Sequence, residues 1–138
     1  MSNFFRKIDT SILHDMEVFE LSTLGPDPQF SHCLYLDIDR SFVFRYQCET
    51  PNEKHYLDST KKGFRKLIKL IEFMKYHKVT DFEQICLDGT TISIKYKFKN
   101  QDQKNITLVN VDYSDDRDHK SFYRHYINVI CNIKTKII

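Results

Sequence analysis

Between Phe64 and Met74 the apolar residues Phe64, Leu67, Ile68, Ile71 and Met74 recur at i, i+3, i+4, i+7 and i+10, a spacing that a helix gathers onto one face. Leu70 and Phe73 widen the stripe, and Lys62, Lys66 and Lys69 fall on the opposite side. So broad a stripe has to be covered, and a helix lying across a sheet covers it best. The pattern predicts a helix from about Ser59 to His77, with Asp58 or Ser59 available to accept hydrogen bonds from its first free N–H groups. Gly63 falls in the first turn, where its cost of about 1 kcal/mol against Ala is tolerable.

The sheet is legible on both sides of this helix. Leu34, Leu36 and Ile38 alternate with Cys33, Tyr35 and Asp37, and Phe42, Phe44 and Tyr46 share a face beyond Asp39-Arg40-Ser41. Alternation on either side of a short polar turn predicts an antiparallel hairpin. Before it, Met16 to Leu21 reads as a strand that Leu24-Gly25-Pro26-Asp27-Pro28 ends, and Glu49 to Tyr56 reads as a loop. After the helix, Ile85–Leu87 reads as a short strand into an Asp88-Gly89 turn. Ile92, Ile94, Tyr96 and Phe98 then oppose Ser93, Lys95, Lys97 and Lys99, and Ile106, Leu108 and Val111 return the chain after a turn at Asn100 to Gln103. Phe122, Tyr123, Tyr126, Ile127 and Ile130 make a second amphipathic stripe, predicting a helix from about His119 to Asn132. Ser114 or an Asp of the acidic loop can cap it.

The ends are simpler. Residues 1–15 read as a lead-in or short helix, and 133–138 as a frayed tail or a last short strand. The sum is one α+β domain over residues 1–138: a mainly antiparallel sheet of about five to six strands, with two main helices packed on one face. Length agrees, since 138 residues suffice for one core without disulfides or metals. With 41% hydrophobic, 14% aromatic and 29% charged residues, the composition excludes disordered, collagenous and coiled-coil classes.

From Phe19 onward the layout is a strand into a Gly-Pro loop (Leu24-Gly25-Pro26), a hairpin, a Leu/Ile-rich helix, an Asp88-Gly89-Thr90 turn, a second hairpin and a final helix. This order resembles small bacterial α+β domains with a DGT hairpin, such as emfourin-type protease inhibitors and immunity proteins of toxin systems. The resemblance implies a non-enzymatic binding module and transfers no functional residue.

Charge is unevenly distributed. Residues 1–58 carry 5 Lys/Arg against 10 Asp/Glu, and residues 59–104 carry 11 against 5, within a net charge of +2. Folding together, the two blocks either neutralise each other or leave a bipolar surface that steers a charged partner. Candidate partner-contacting residues are Asp37 and Asp39 at the hairpin turn, Lys62, Lys66 and Lys69 on the helix, and Asp115 and Asp116 in the acidic loop.

No catalytic motif stands in the sequence. The four cysteines form no C-x-x-C pair and fall in apolar patterns, where buried, reduced thiols are expected. Adjacent His32 and Cys33 point to opposite faces of a strand, and His119 and His125 diverge around a helix, so neither pair suits zinc. No cofactor is expected. The acidic loop lacks EF-hand spacing. Lysines could neutralise phosphates, but no aromatic interleaves the strand lysines on the exposed face, so an RNA-stacking platform is missing. No apolar run approaches the ~20 residues of a membrane span, and the N-terminus lacks a secretory signal's apolar core. The expectation is a cytoplasmic, non-catalytic domain that binds a protein partner, an enzyme or a toxin, as an inhibitor or immunity protein. The alternative is a nucleic-acid-associated regulator using the lysine-rich helix face, and a homo-oligomer is compatible with either.

Overall fold

The computed structural model describes residues 11–25, 32–37, 43–47, 55–57, 61–86, 89–132 and 135–137. After a 3-10 turn at Ser11–Asp15, the strands are β1 (Met16–Leu24), β2 (His32–Asp37), β3 (Val43–Gln47) and β4 (His55–Leu57). Helix α1 (Lys62–Tyr76) follows, then β5 (Phe82–Glu83), β6 (Thr91–Phe98), β7 (Lys104–Val109), helix α2 (Arg117–Ile130) and β8 (Thr135–Ile137). Among the described residues, eight strands join one sheet, ordered β5-β7-β6-β1-β2-β3-β4-β8, in which only the β5–β7 pair is parallel. Five strands have five residues or more, as the alternation predicts, and three strands of two or three residues extend the two edges.

The strand order dictates how the helices lie. The chain leaves β4 near one edge and returns at β5 on the other, so α1 crosses the whole sheet. It then leaves β7 and returns at β8, so α2 crosses in the opposite sense. The helices are therefore antiparallel neighbours, and their buried stripes share one core with the sheet. Leu67, Leu70 and Ile71 of α1 and Phe122 and Val129 of α2 are fully covered. Beneath them lie Phe19 and Leu21 of β1, Leu34 of β2, Ile92, Ile94, Tyr96 and Phe98 of β6, and Ile106 and Leu108 of β7. A buried hydroxyl pair, Thr23 Oγ1 and Tyr126 Oη at 2.6 Å, ties α2 to the central strand.

The other sheet face is wet, and there the two charge blocks meet. Glu20 stands opposite Lys95 in the β1–β6 register. A register shift between Met16 and Val18 accompanies a 2.6 Å ion pair between Glu17 and Lys97. On this face Glu17 and Glu20 of the acidic block stand against Lys97 and Lys95 of the basic block.

Several local expectations need correction. Overlapping the end of the stretch Glu49 to Tyr56 read as a loop, His55–Leu57 is a strand, held between β3 and β8, the latter from a distant segment. The short strand before the second hairpin is Phe82–Glu83, since β7 offers its edge to Phe82 and Glu83; Ile85 and Cys86 are not in a strand, and Leu87 lies outside the described residues. Val111 begins a 3-10 turn instead of extending β7. The N-cap of α1 is Lys61, without a side-chain cap; Asp58 and Ser59 lie outside the described residues. Helix α2 starts two residues earlier than expected because Asp116 caps it, its carboxylate accepting from the N–H groups of Asp118 and His119. Replacing Asp116 by Ala should cost about 1 kcal/mol in urea denaturation, with Asn largely restoring it. Three cysteines are also less buried than expected: Cys33 and Cys86 are half-buried and Cys131, at the end of α2, is exposed, while Cys48 lies outside the described residues.

Candidate functional site

The antiparallel helices leave a groove on their outer side, a cavity of about 580 Å³ lined by Phe73 and His77 from the α1 end and by Asp116, Arg117, Asp118, Ser121, Arg124 and His125 from the α2 side. Phe73 is its centre. His77 stacks on the Phe73 ring at 4.4 Å between centroids, and His125 packs against it at 5.1 Å. On α1, Phe73 continues the lysine stripe, Lys62, Lys66, Lys69 and Phe73 following at i, i+4, i+7 and i+11; on α2 the lining residues Arg117, Ser121 and Arg124 follow at i, i+4 and i+7. Sequence reasoning found the lysines of the first stripe but counted Phe73 with the apolar face, whereas at 100° per residue it falls among the lysines and is only half-buried. The same reasoning missed the second stripe, whose signal was the basic and polar face of the apolar Phe122–Tyr126–Val129 pattern.

The groove is electrostatically graded. At one end His77 Nδ1 is 3.7 Å from Asp118 Oδ1, and the Asp116 carboxylate closes the helix start. At the other end Lys66, Lys69 and Arg124 gather about His125, while Arg117 sits beside the acids at the helix start. Partial burial, reinforced by Arg124, Lys69, Lys66 and His77, holds the His125 ring below the usual imidazole range. Among the described residues, no carboxylate lies within ion-pair distance of Lys62, Lys66, Lys69, Arg117 or Arg124. A histidine whose folded pKa is lowered binds its proton more readily in the unfolded chain. Stability therefore rises with pH through this region, and it is lost as pH falls below the ordinary 6.5 toward the folded value. The urea midpoint should fall between about pH 7.5 and about pH 5, and His125→Gln should flatten that fall.

The remaining candidates resolve differently. Asp116 of the acidic loop is committed to capping, and Asp115 is exposed without joining the groove. Asp37 closes β2, its backbone opposite Val43; its side chain and all of Asp39 lie outside the described residues. Lys95 and Lys97 face the acids of β1. Among the described residues no three His, Cys, Asp or Glu side chains cluster as a metal site. Burial pushes the Cys33 thiol up, against a weaker lowering by the Ser22 hydroxyl, which disfavours a thiolate nucleophile.

A serine–histidine pair does occur. Ser114 Oγ is 2.6 Å from His119 Nδ1, but Nε2–H donates to the Thr80 carbonyl at 2.8 Å. Both side chains are about 4% exposed. A serine that no substrate can reach, beside a histidine whose second nitrogen is tied to backbone, is a structural clasp. It fixes the start of α2 to the segment after α1.

The class defined by fold and groove is thus a two-layer α+β domain with an interhelical groove that is cationic at one end. The chain matches no family model, no curated protein and no solved structure. Among the described residues, no helix is long and apolar enough to cross a membrane.

Proposed function

We propose that the chain is a non-catalytic protein-binding domain of the inhibitor or immunity type, working in the cytoplasm, that receives an acidic surface of a partner enzyme or toxin along the α1–α2 groove. The carrying observation is the set of cations Lys66, Lys69, Arg117 and Arg124, unpaired among the described residues, around a half-buried aromatic centre. Exposed cations beside an aromatic contact are what an interface uses to orient and anchor a partner. The sheet-face lysines have intramolecular acids opposite them and contribute less to such steering.

A nucleic acid would use the same cations, and this is the second reading. The grading favours protein. Asp116 and Asp118 at one end repel a uniform phosphate chain but suit a partner of mixed charge. The readings separate experimentally. A protein partner co-purifying in stoichiometric amount, and lost from the Lys66→Glu/Lys69→Glu/Arg124→Glu variant, supports the proposal. Retention of the wild-type chain on DNA at about 0.15 M salt, abolished in the same variant, supports the second reading. If partner capture is unchanged in the variant, the groove is not the interface.

A further inference from the structure

A second groove opens on the other side of the α1 C-terminus, and it runs beside a free sheet edge. Strand β5 pairs with β7 only at Leu108 and Val109, so among the described residues no strand covers Lys104–Ile106. Backbone polarity alternates along β7. Thr107 N–H points away from β6, since it donates to Asp81 Oδ1 at 2.9 Å, and the N–H and C=O of Asn105, two residues earlier, point outward in the same way. Beside this edge lies a cavity of about 810 Å³. Val79, Ile106 and Tyr96 supply its apolar lining, each nearly covered. Lys78 and Lys104 stand over it, with Tyr76 exposed at the rim.

We propose that this edge is a docking slot for a short extended acidic peptide segment, separate from the interhelical groove. Backbone hydrogen bonds to Asn105 hold the segment as an added strand, the mode in which an edge gives affinity and neighbouring pockets give specificity. Alternate side chains of the segment then fall on Val79 and Ile106 or out to solvent. Charge selects the occupant. Lys78 has no carboxylate within ion-pair distance among the described residues, and the Lys104 ammonium lies 5.8 Å from the Tyr96 ring centroid. Asp81, already holding Thr107 N–H, marks the end of the slot: acidic side chains belong beside the lysines and are excluded next to Asp81. The exposed Tyr76 ring is placed to close over the segment as an amphipathic contact.

The test uses the full chain and a fluorescein-labelled peptide of alternating Glu and Val, read by fluorescence anisotropy. Saturable binding is expected, weakened about tenfold or more by Lys78→Glu/Lys104→Glu, a loss of about 1.4 kcal/mol per decade. The same peptide with alternate backbone amides N-methylated should lose binding, as should a Lys/Val peptide. Asn105→Pro gives an independent check on the edge, with circular dichroism verifying the fold. The Lys66→Glu/Arg124→Glu variant should bind the peptide as wild type does, so the slot and the interhelical groove can fail separately. Absence of binding, equal binding of the N-methylated peptide, or indifference to Lys78→Glu/Lys104→Glu would each overturn the proposal.

Discussion

His119→Ala should lower the unfolding free energy by about 2–4 kcal/mol, among the largest losses of any polar substitution in this chain. Two effects combine. The ring is buried, packs edge-on against Phe82 at 5.3 Å between centroids, and leaves a cavity when removed. Its loss also strands the buried Ser114 hydroxyl and deprives the Thr80 carbonyl of its donor. Ser114 has a second task, accepting from Asp116 N–H at 3.1 Å, so the clasp reaches the N-cap of α2. Ser114→Ala should cost less, because it leaves the Thr80 bond in place. A double-mutant cycle by urea denaturation should give a coupling energy of about 0.5–3 kcal/mol between the two positions, and additive losses would show the contact to be energetically idle.

Asn110→Ala should cost about 3 kcal/mol. Asn110 has φ 57°, a left-handed conformation that asparagine tolerates better than alanine. Its side chain is buried and works at both ends: Oδ1 accepts from Thr90 N–H at 2.9 Å, and Nδ2 donates to the Gln84 carbonyl. One side chain thus joins the exits of β7 and β5 to the approach of β6. Gly89 explains itself beside it, because a Cβ there would lie 2.5 Å from Asn110 Oδ1. That amide is held by both of its bonds and cannot swing aside cheaply. Gly89→Ala should therefore destabilise by displacing Asn110, and in the Asn110→Gly background most of its added cost should vanish. Persistence of the full Gly89→Ala penalty in that background would contradict the explanation.

The Asn110 network shows what the sequence could not disclose. Gly89 stood out in the sequence beside Asp88, which lies outside the described residues, yet the reason for a glycine there sits twenty residues downstream of Thr90, on a residue with no pattern of its own. Long periodic elements were legible for a plain cause. Eight residues of β6 or fifteen of α1 repeat their period often enough to fix type and inward face. Strands β4, β5 and β8, of two or three residues, hold no period, and the β4–β8 and β5–β7 pairings join distant segments. Helix ends were legible to within a few residues, since the acidic loop offers several carboxylates and only the folded chain selects Asp116.

The site was half legible for the same reason. Lys62, Lys66 and Lys69 declare one helix face, but nothing local announces that α2 lies antiparallel beside it and brings Arg124 and His125 across. That juxtaposition follows from the strand order, in which both crossovers span the sheet in opposite senses. The segregation of charge was visible, whereas its resolution was not. Pairing of β1 with β6 sets acids against strand lysines, whereas Lys62, Lys66, Lys69, Arg117 and Arg124 of the helices have no carboxylate within ion-pair distance among the described residues.

Hydrogen exchange of the chain with and without its captured protein partner tests the central claim most directly. The account predicts added protection over residues 66–77 and 117–125, which flank the groove, abolished by Lys66→Glu/Lys69→Glu/Arg124→Glu and retained in the sheet-face control Lys95→Glu. Protection confined to the wet face of β1 and β6, with affinity lost in Lys95→Glu alone, would contradict it.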